Sequence, residues 1–62
     1  MQQPSLIATG PRNLEVWQTY DESAGVFELW SNSNCASYNY LGYAYTRQGA
    51  YEFACEWLRH EP

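Results

Sequence analysis

Thr46-Arg47-Gln48-Gly49-Ala50-Tyr51-Glu52-Phe53-Ala54-Cys55-Glu56-Trp57-Leu58-Arg59-His60 is the segment whose polarity repeats cleanly at the helical period. At about 100° per residue, Ala50, Ala54, Trp57 and Leu58 share one face, flanked by Tyr51 and Phe53. Gln48, Glu52, Glu56, Arg59 and His60 fall opposite. Thr46 stands where an N-cap hydroxyl can accept from an unpaired backbone N–H. Arg59 and His60 place positive charge at the carbonyl end. The small Ala50 and Ala54 let such a helix approach a flat apolar surface, and Trp57 is expected to fill much of a small core.

Upstream, the period changes to that of strands. Leu14-Glu15-Val16-Trp17-Gln18-Thr19-Tyr20 alternates in polarity and is rich in β-branched and aromatic residues. Asp21-Glu22-Ser23-Ala24-Gly25 reads as a loop of about five residues, with Gly25 suited to positive φ. Val26-Phe27-Glu28-Leu29-Trp30-Ser31 is the return strand of a hairpin. Ser31-Asn32-Ser33-Asn34 reads as a polar turn, and Cys35-Ala36-Ser37 fits either a helical turn or a strand entry. Residues 39–45 form a third strand, whose tyrosine spacing slips at Leu41-Gly42 in the manner of a β-bulge. Ser5-Leu6-Ile7-Ala8-Thr9 reads either as an edge strand or, more simply, as an arm that turns at Gly10-Pro11. The fold expected is therefore α+β: a small antiparallel three-stranded sheet, with scope for a fourth N-terminal strand, packed by one C-terminal helix. Residues 1–13 are the arm and 14–62 the domain. A single helix covers one face of such a sheet and leaves the other open.

Size limits what this domain can be. A chain of 62 residues buries only roughly 60% of the surface it exposes unfolded. Aromatics make up 18% of it, as three Trp, six Tyr and two Phe. Each ring can bury about 150–250 Å², which suggests a ring-packed core with more rings than that core can hold. The surplus should be exposed, and clustered exposed rings mark contact surfaces. Trp17, Trp30, Tyr40 and Tyr43 are the candidates; if Leu14, Val16, Phe27 and Leu29 turn to the helix, Trp17 and Trp30 are left on the open face, and a one-residue slip in register would invert the two faces. Interleaved Tyr, Ser and Asn are also the composition of binding paratopes.

The formal net charge is −4, and Arg12, Arg47 and Arg59 are the whole basic complement. Three scattered arginines cannot replace the counterions of a phosphate backbone, so direct nucleic-acid binding is disfavoured, as is an anionic membrane. Acidity suits a basic partner instead. Asp21 and Glu22 at the hairpin tip and Glu52 and Glu56 on the helix would present it, although a plain solvated face accounts for them equally well. Glu15 and Glu28 lie on the two hairpin strands and are expected near each other across the pair.

Motifs for chemistry are missing. His60 is the sole histidine, which excludes a histidine triad or a His-rich metal site, and its spacing from Glu56 reads as a surface pair. No phosphate loop, zincin motif, nucleophile elbow or calcium loop is present, and neither cofactor nor metal is expected. Cys35 and Cys55 read as two buried thiols of a reducing compartment or as one bridge from loop to helix. The N-terminus lacks the basic start and apolar run of a signal peptide, so a cytoplasmic protein is expected.

Together these readings point to a non-enzymatic module that binds a larger protein, with partner contacts at Asp21, Glu22, Glu52, Glu56, Trp17, Trp30, Tyr40 and Tyr43. In size, acidity and want of catalytic groups the chain resembles, by composition alone, the small inhibitors that phages and mobile elements direct against host proteins. Anti-restriction and anti-CRISPR proteins are among these. No motif carries the likeness to a family. It implies occlusion of a basic, nucleic-acid-binding surface, in the host cytoplasm if phage-encoded. The alternatives are an aromatic platform for carbohydrate or a small ligand, and an accessory or self-associating subunit such as a homodimer.

Overall fold

The computed structural model describes residues 3–33 and 37–60. Four strands, β1 (Ser5–Thr9), β2 (Leu14–Asp21), β3 (Val26–Ser33) and β4 (Asn39–Ala44), precede one helix, α1 (Arg47–His60). The sheet is antiparallel throughout and its order is β1-β2-β3-β4. The α+β expectation holds, including the fourth strand. Ser5–Thr9 pairs with β2 as an edge strand rather than lying free as an arm.

Local chemistry explains each boundary. A short 3-10 turn at Pro11–Asn13 reverses the chain between β1 and β2, with Arg12 and Asn13 both left-handed at φ 59° and 61°. The Gly10 N–H closes this turn onto the Leu14 carbonyl at 2.8 Å. At the next reversal Asp21 pairs with Val26. The Asp21 carboxylate accepts from the backbone N–H groups of Ser23 and Ala24 at 3.0 and 3.3 Å. Gly25, at φ 70°, completes the turn in the conformation glycine adopts without cost. The loop between strands is thus shorter than expected, because Asp21 belongs to β2.

The polar run Ser31-Asn32-Ser33 is not a turn. It extends β3, and Ser31 pairs with Val16 on one side and Asn39 on the other. Small polar side chains suit a turn only where the backbone lacks other partners. In an interior strand both ladders claim those partners, and Ser31 and Asn32 are buried. Asn34, Cys35 and Ala36, read above as turn or strand entry, lie outside the described residues, as do the first two and last two residues.

The bulge expected at Leu41-Gly42 is present. Leu29 pairs with Gly42 and Trp30 with Tyr40, so Leu41 is the extra residue. A second bulge lies on β1, where Leu6 pairs with Trp17 and Ala8 with Val16, leaving Ile7 as the extra residue.

Register fixes the faces. Leu14, Val16, Gln18 and Tyr20 stand opposite Ser33, Ser31, Leu29 and Phe27, and these share the face toward α1. The helix docks there by small residues: Ala50 and Ala54 are fully buried, as are Val16 and Leu29 on the facing side of the sheet. Thr46 is the N-cap, its hydroxyl accepting from the Gly49 N–H at 2.9 Å. Two close approaches hold the helix down. A Cβ on Gly42 would lie 3.0 Å from the Phe53 ring, and one on Gly10 would lie 2.8 Å from Leu58.

The core is therefore aliphatic and small, not ring-packed. Trp57 does not fill it. Because the alanines bring the helix so close, Phe53, Trp57 and Leu58 fall beside the contact and are only half-buried. The shortest principal extent is 14 Å, the depth of one sheet and one helix.

Two outcomes test this arrangement. Leu29→Ala leaves a cavity in a four-residue core and should cost about 2–5 kcal/mol, enough to unfold much of so small a domain, as read by urea titration of tryptophan emission. Thr46→Ala removes the cap alone and should cost about 1 kcal/mol with no change in the slope of that titration.

Candidate functional site: an uncovered aromatic sheet face

On the face away from α1, the register aligns one residue from every strand. Leu6 pairs with Trp17, Trp17 with Trp30, and Trp30 with Tyr40. Adjacent strands lie about 4.8 Å apart, so this row crosses the sheet as a band roughly 14 Å long. No described element covers it. The two indoles are half-buried by their neighbours, while Leu6 and Tyr40 are exposed by 46% and 53%.

The rings brace one another. Tyr38 meets Trp17 edge-on at 5.9 Å and 87°, and Tyr40 meets Trp30 at 5.3 Å and 71°. Beside them Tyr43 and Tyr45 pair at 5.5 Å and 85°. Such edge-to-face geometry is the arrangement that aromatic quadrupoles favour. It leaves the surface corrugated, without the parallel faces on which sugars or bases stack. Both indole N–H groups are already used. Trp17 donates to a Glu15 carboxylate oxygen at 3.0 Å, and Trp30 donates to the Thr19 hydroxyl at 3.1 Å. Tyr38, Trp30, Thr19 and Pro4 enclose a small cleft of about 180 Å³.

Charge on this face has one sign. Glu15, opposite Asn32, and Glu28, opposite Thr19, stand on either side of the Trp17–Trp30 pair. They are not cross-strand neighbours, as expected above; the register holds them apart with the indoles between. The four strands contain no Lys, Arg or His. At the margin, the Tyr45 phenol is held above its ordinary value, first by its hydrogen bond to Tyr43 and then by the charge Tyr43 gains at high pH.

The expected contact residues separate into three places. Trp17, Trp30, Tyr40 and Tyr43 come together on the uncovered face. Glu52 and Glu56 are exposed on α1, on the other side of the sheet. Asp21 and Glu22 sit at the hairpin tip, where one Asp21 oxygen is committed to the turn. Leu6 and Tyr38 belong to the aromatic surface but are not among the expected contact residues. Leu6 joins it only through the pairing of β1, and Tyr38 through a contact between residues far apart in the chain.

Elsewhere, His60 Nε2 lies 3.1 Å from Glu56 Oε1 and Arg59 lies 3.6 Å from the other Glu56 oxygen, an exposed cluster at the helix end. Cys55 is a free and exposed thiol, not the buried or bridged one expected, because it falls outside the Ala50–Ala54 stripe. Its proposed partner Cys35 lies outside the described residues. Among the described residues no group of three or more His, Cys, Asp or Glu could hold a metal ion, and no helix is long and apolar enough to cross a membrane.

Compared with known protein families, curated proteins and solved structures, the chain matches none.

Removing Tyr38 should uncover the Trp17 ring edge. Tyr38→Ala is expected to cost about 0.5–1.5 kcal/mol and to shift tryptophan emission to the red. Tyr51→Ala, at an exposed helix position, should leave the emission unchanged.

Proposed function

We propose that this domain is a non-enzymatic binding module that docks its uncovered sheet face on a larger protein with a basic surface, as an inhibitor or modulator of that protein. The observation that carries the reading is the Leu6–Trp17–Trp30–Tyr40 row, uncovered by any described element, with exposed ends and half-buried indoles, and flanked by Glu15 and Glu28 with no cation on any strand. Rings clustered at the centre of a surface with charges around them match the anatomy of protein interfaces, where aromatic anchors dominate and rim charges steer approach. The same carboxylates disfavour self-association through this face, since a two-fold dimer would set Glu15 and Glu28 against their own copies. Occlusion of a nucleic-acid-binding surface, as in the phage inhibitors that the composition resembles, is the form of modulation such a face suits. The crossed rings and internally bonded indoles make it a poorer platform for carbohydrate.

The test compares proteins captured from a host lysate by the wild type, by Tyr40→Ala and Tyr43→Ala, and by Glu28→Lys. A true partner should be retained by the wild type and lose at least about 30-fold in affinity, or about 2 kcal/mol, with the tyrosine variants. Glu28→Lys should slow association and flatten its salt dependence. A partner indifferent to all of these changes would exclude the sheet face as the contact.

A further inference from the structure

A second surface lies on the other side of the molecule and does not depend on the sheet-face reading. Gly49, Phe53 and Trp57 form one row of α1, and Glu52, Glu56 and His60 form the next row outward. Together they line an open groove of about 530 Å³. The first two residues of the inner row lie over β4. Phe53 lies against Gly42, and the Gly49 Cβ position lies 3.5 Å from Ala44. Helix and strand therefore run antiparallel, and their repeats nearly match. Four helical residues rise about 6 Å, and two strand residues rise about 6.6 Å. β4 is the last strand of the sheet, so its outer edge is unpaired among the described residues.

We propose that the β4 edge and this groove together bind an extended, arginine-bearing peptide segment of a partner as a fifth strand. Backbone pairing would join the segment to the edge, as in other additions to a sheet edge. Every second side chain would then point toward the helix at the spacing of Gly49 and Phe53, with Trp57 beyond them in the groove. An arginine there lays its aliphatic stem on the Phe53 and Trp57 rings and reaches the outer row with its guanidinium. Glu52 is the principal acceptor. Its carboxylate meets the neutral Gln48 amide at 3.2 Å and has no ion pair among the described residues. Glu56 is shared with Arg59 and His60 and contributes less. The Leu41 bulge interrupts the edge, so regular pairing is confined to the Gly42–Ala44 part of the strand. This limits the segment to a few residues and makes the side-chain groove, not the backbone, the source of selectivity.

The probe is a short synthetic peptide alternating Val and Arg, titrated against the full chain with backbone amide resonances followed by NMR. Binding should perturb the amides of 42–44 and the Trp57 indole. It should weaken at least tenfold in Glu52→Lys with Glu56→Lys, at unchanged thermal stability. It should also be lost when alternate peptide nitrogens are methylated, which blocks strand pairing but keeps every charge. An alternating Val/Glu peptide should not bind. Equal affinity for the methylated peptide would reduce the contact to charge alone and overturn strand addition. Binding that survives the double lysine variant, or no binding at millimolar peptide, would overturn the groove. Leu6→Ala separates this site from the sheet face, since Leu6 lies on β1 at the opposite edge of the sheet and its loss should leave the peptide affinity within about twofold.

Discussion

The burial of Ala50 and Ala54 against the sheet face that carries Val16 and Leu29 governs everything else in this molecule. Two methyl groups set the distance between helix and sheet. Gly42 and Gly10 then have to lack side chains where Phe53 and Leu58 come down on them. The contact is tight but small, and the Phe53 ring reaches it only at its margin, over Gly42. Eleven aromatic residues in a 62-residue chain must consequently sit at its margins or on the other sheet face. The surface chemistry of the protein follows from a packing decision in its interior.

That constraint also separates two kinds of aromatic surface. Toward the helix, Phe53 and Trp57 are left beside the contact and line an open groove on α1, with Phe53 over Gly42 of β4. Away from the helix, Trp17 and Trp30 rise from the two central strands and are braced by tyrosines from one edge. Carboxylates accompany both sets, Glu52 and Glu56 on one side and Glu15 and Glu28 on the other. The chain has too few cations to neutralise them, and all three arginines lie outside the strands. A partner meeting either surface encounters apolar area framed by negative charge.

Most of the fold was legible because its signals are local. The Thr46 cap, the alanine stripe, the Asp21–Gly25 turn and the slip at Leu41-Gly42 each announce themselves within a few residues, and each stands where its chemistry placed it. What failed to show were features set by pairing at a distance. Ser31–Ser33 looks like a turn until β2 pairs with all three residues and β4 with Ser31. Trp57 looks like core until the alanines are seen to bring the helix too close for it. The site was half legible in the same sense. Alternation alone does not say which sheet face stays open, Tyr43 joins Tyr40 on one face only through the bulge at Leu41, and the alignment of Leu6 with the indoles depends on a bulge at Ile7 that nothing in Ser5–Thr9 announces.

The internal capture of both indole N–H groups, by Glu15 and Thr19, changes the thermodynamics of whatever contacts that face. These donors have surrendered their water before any encounter, so covering the rings strips little hydration from polar atoms. Association there would draw on apolar dehydration, with a pronounced fall in heat capacity and a modest enthalpy. Recognition of that sort tolerates changes in the partner's sequence better than a surface reading individual hydrogen bonds, because misplaced polar groups are what a binder ordinarily rejects.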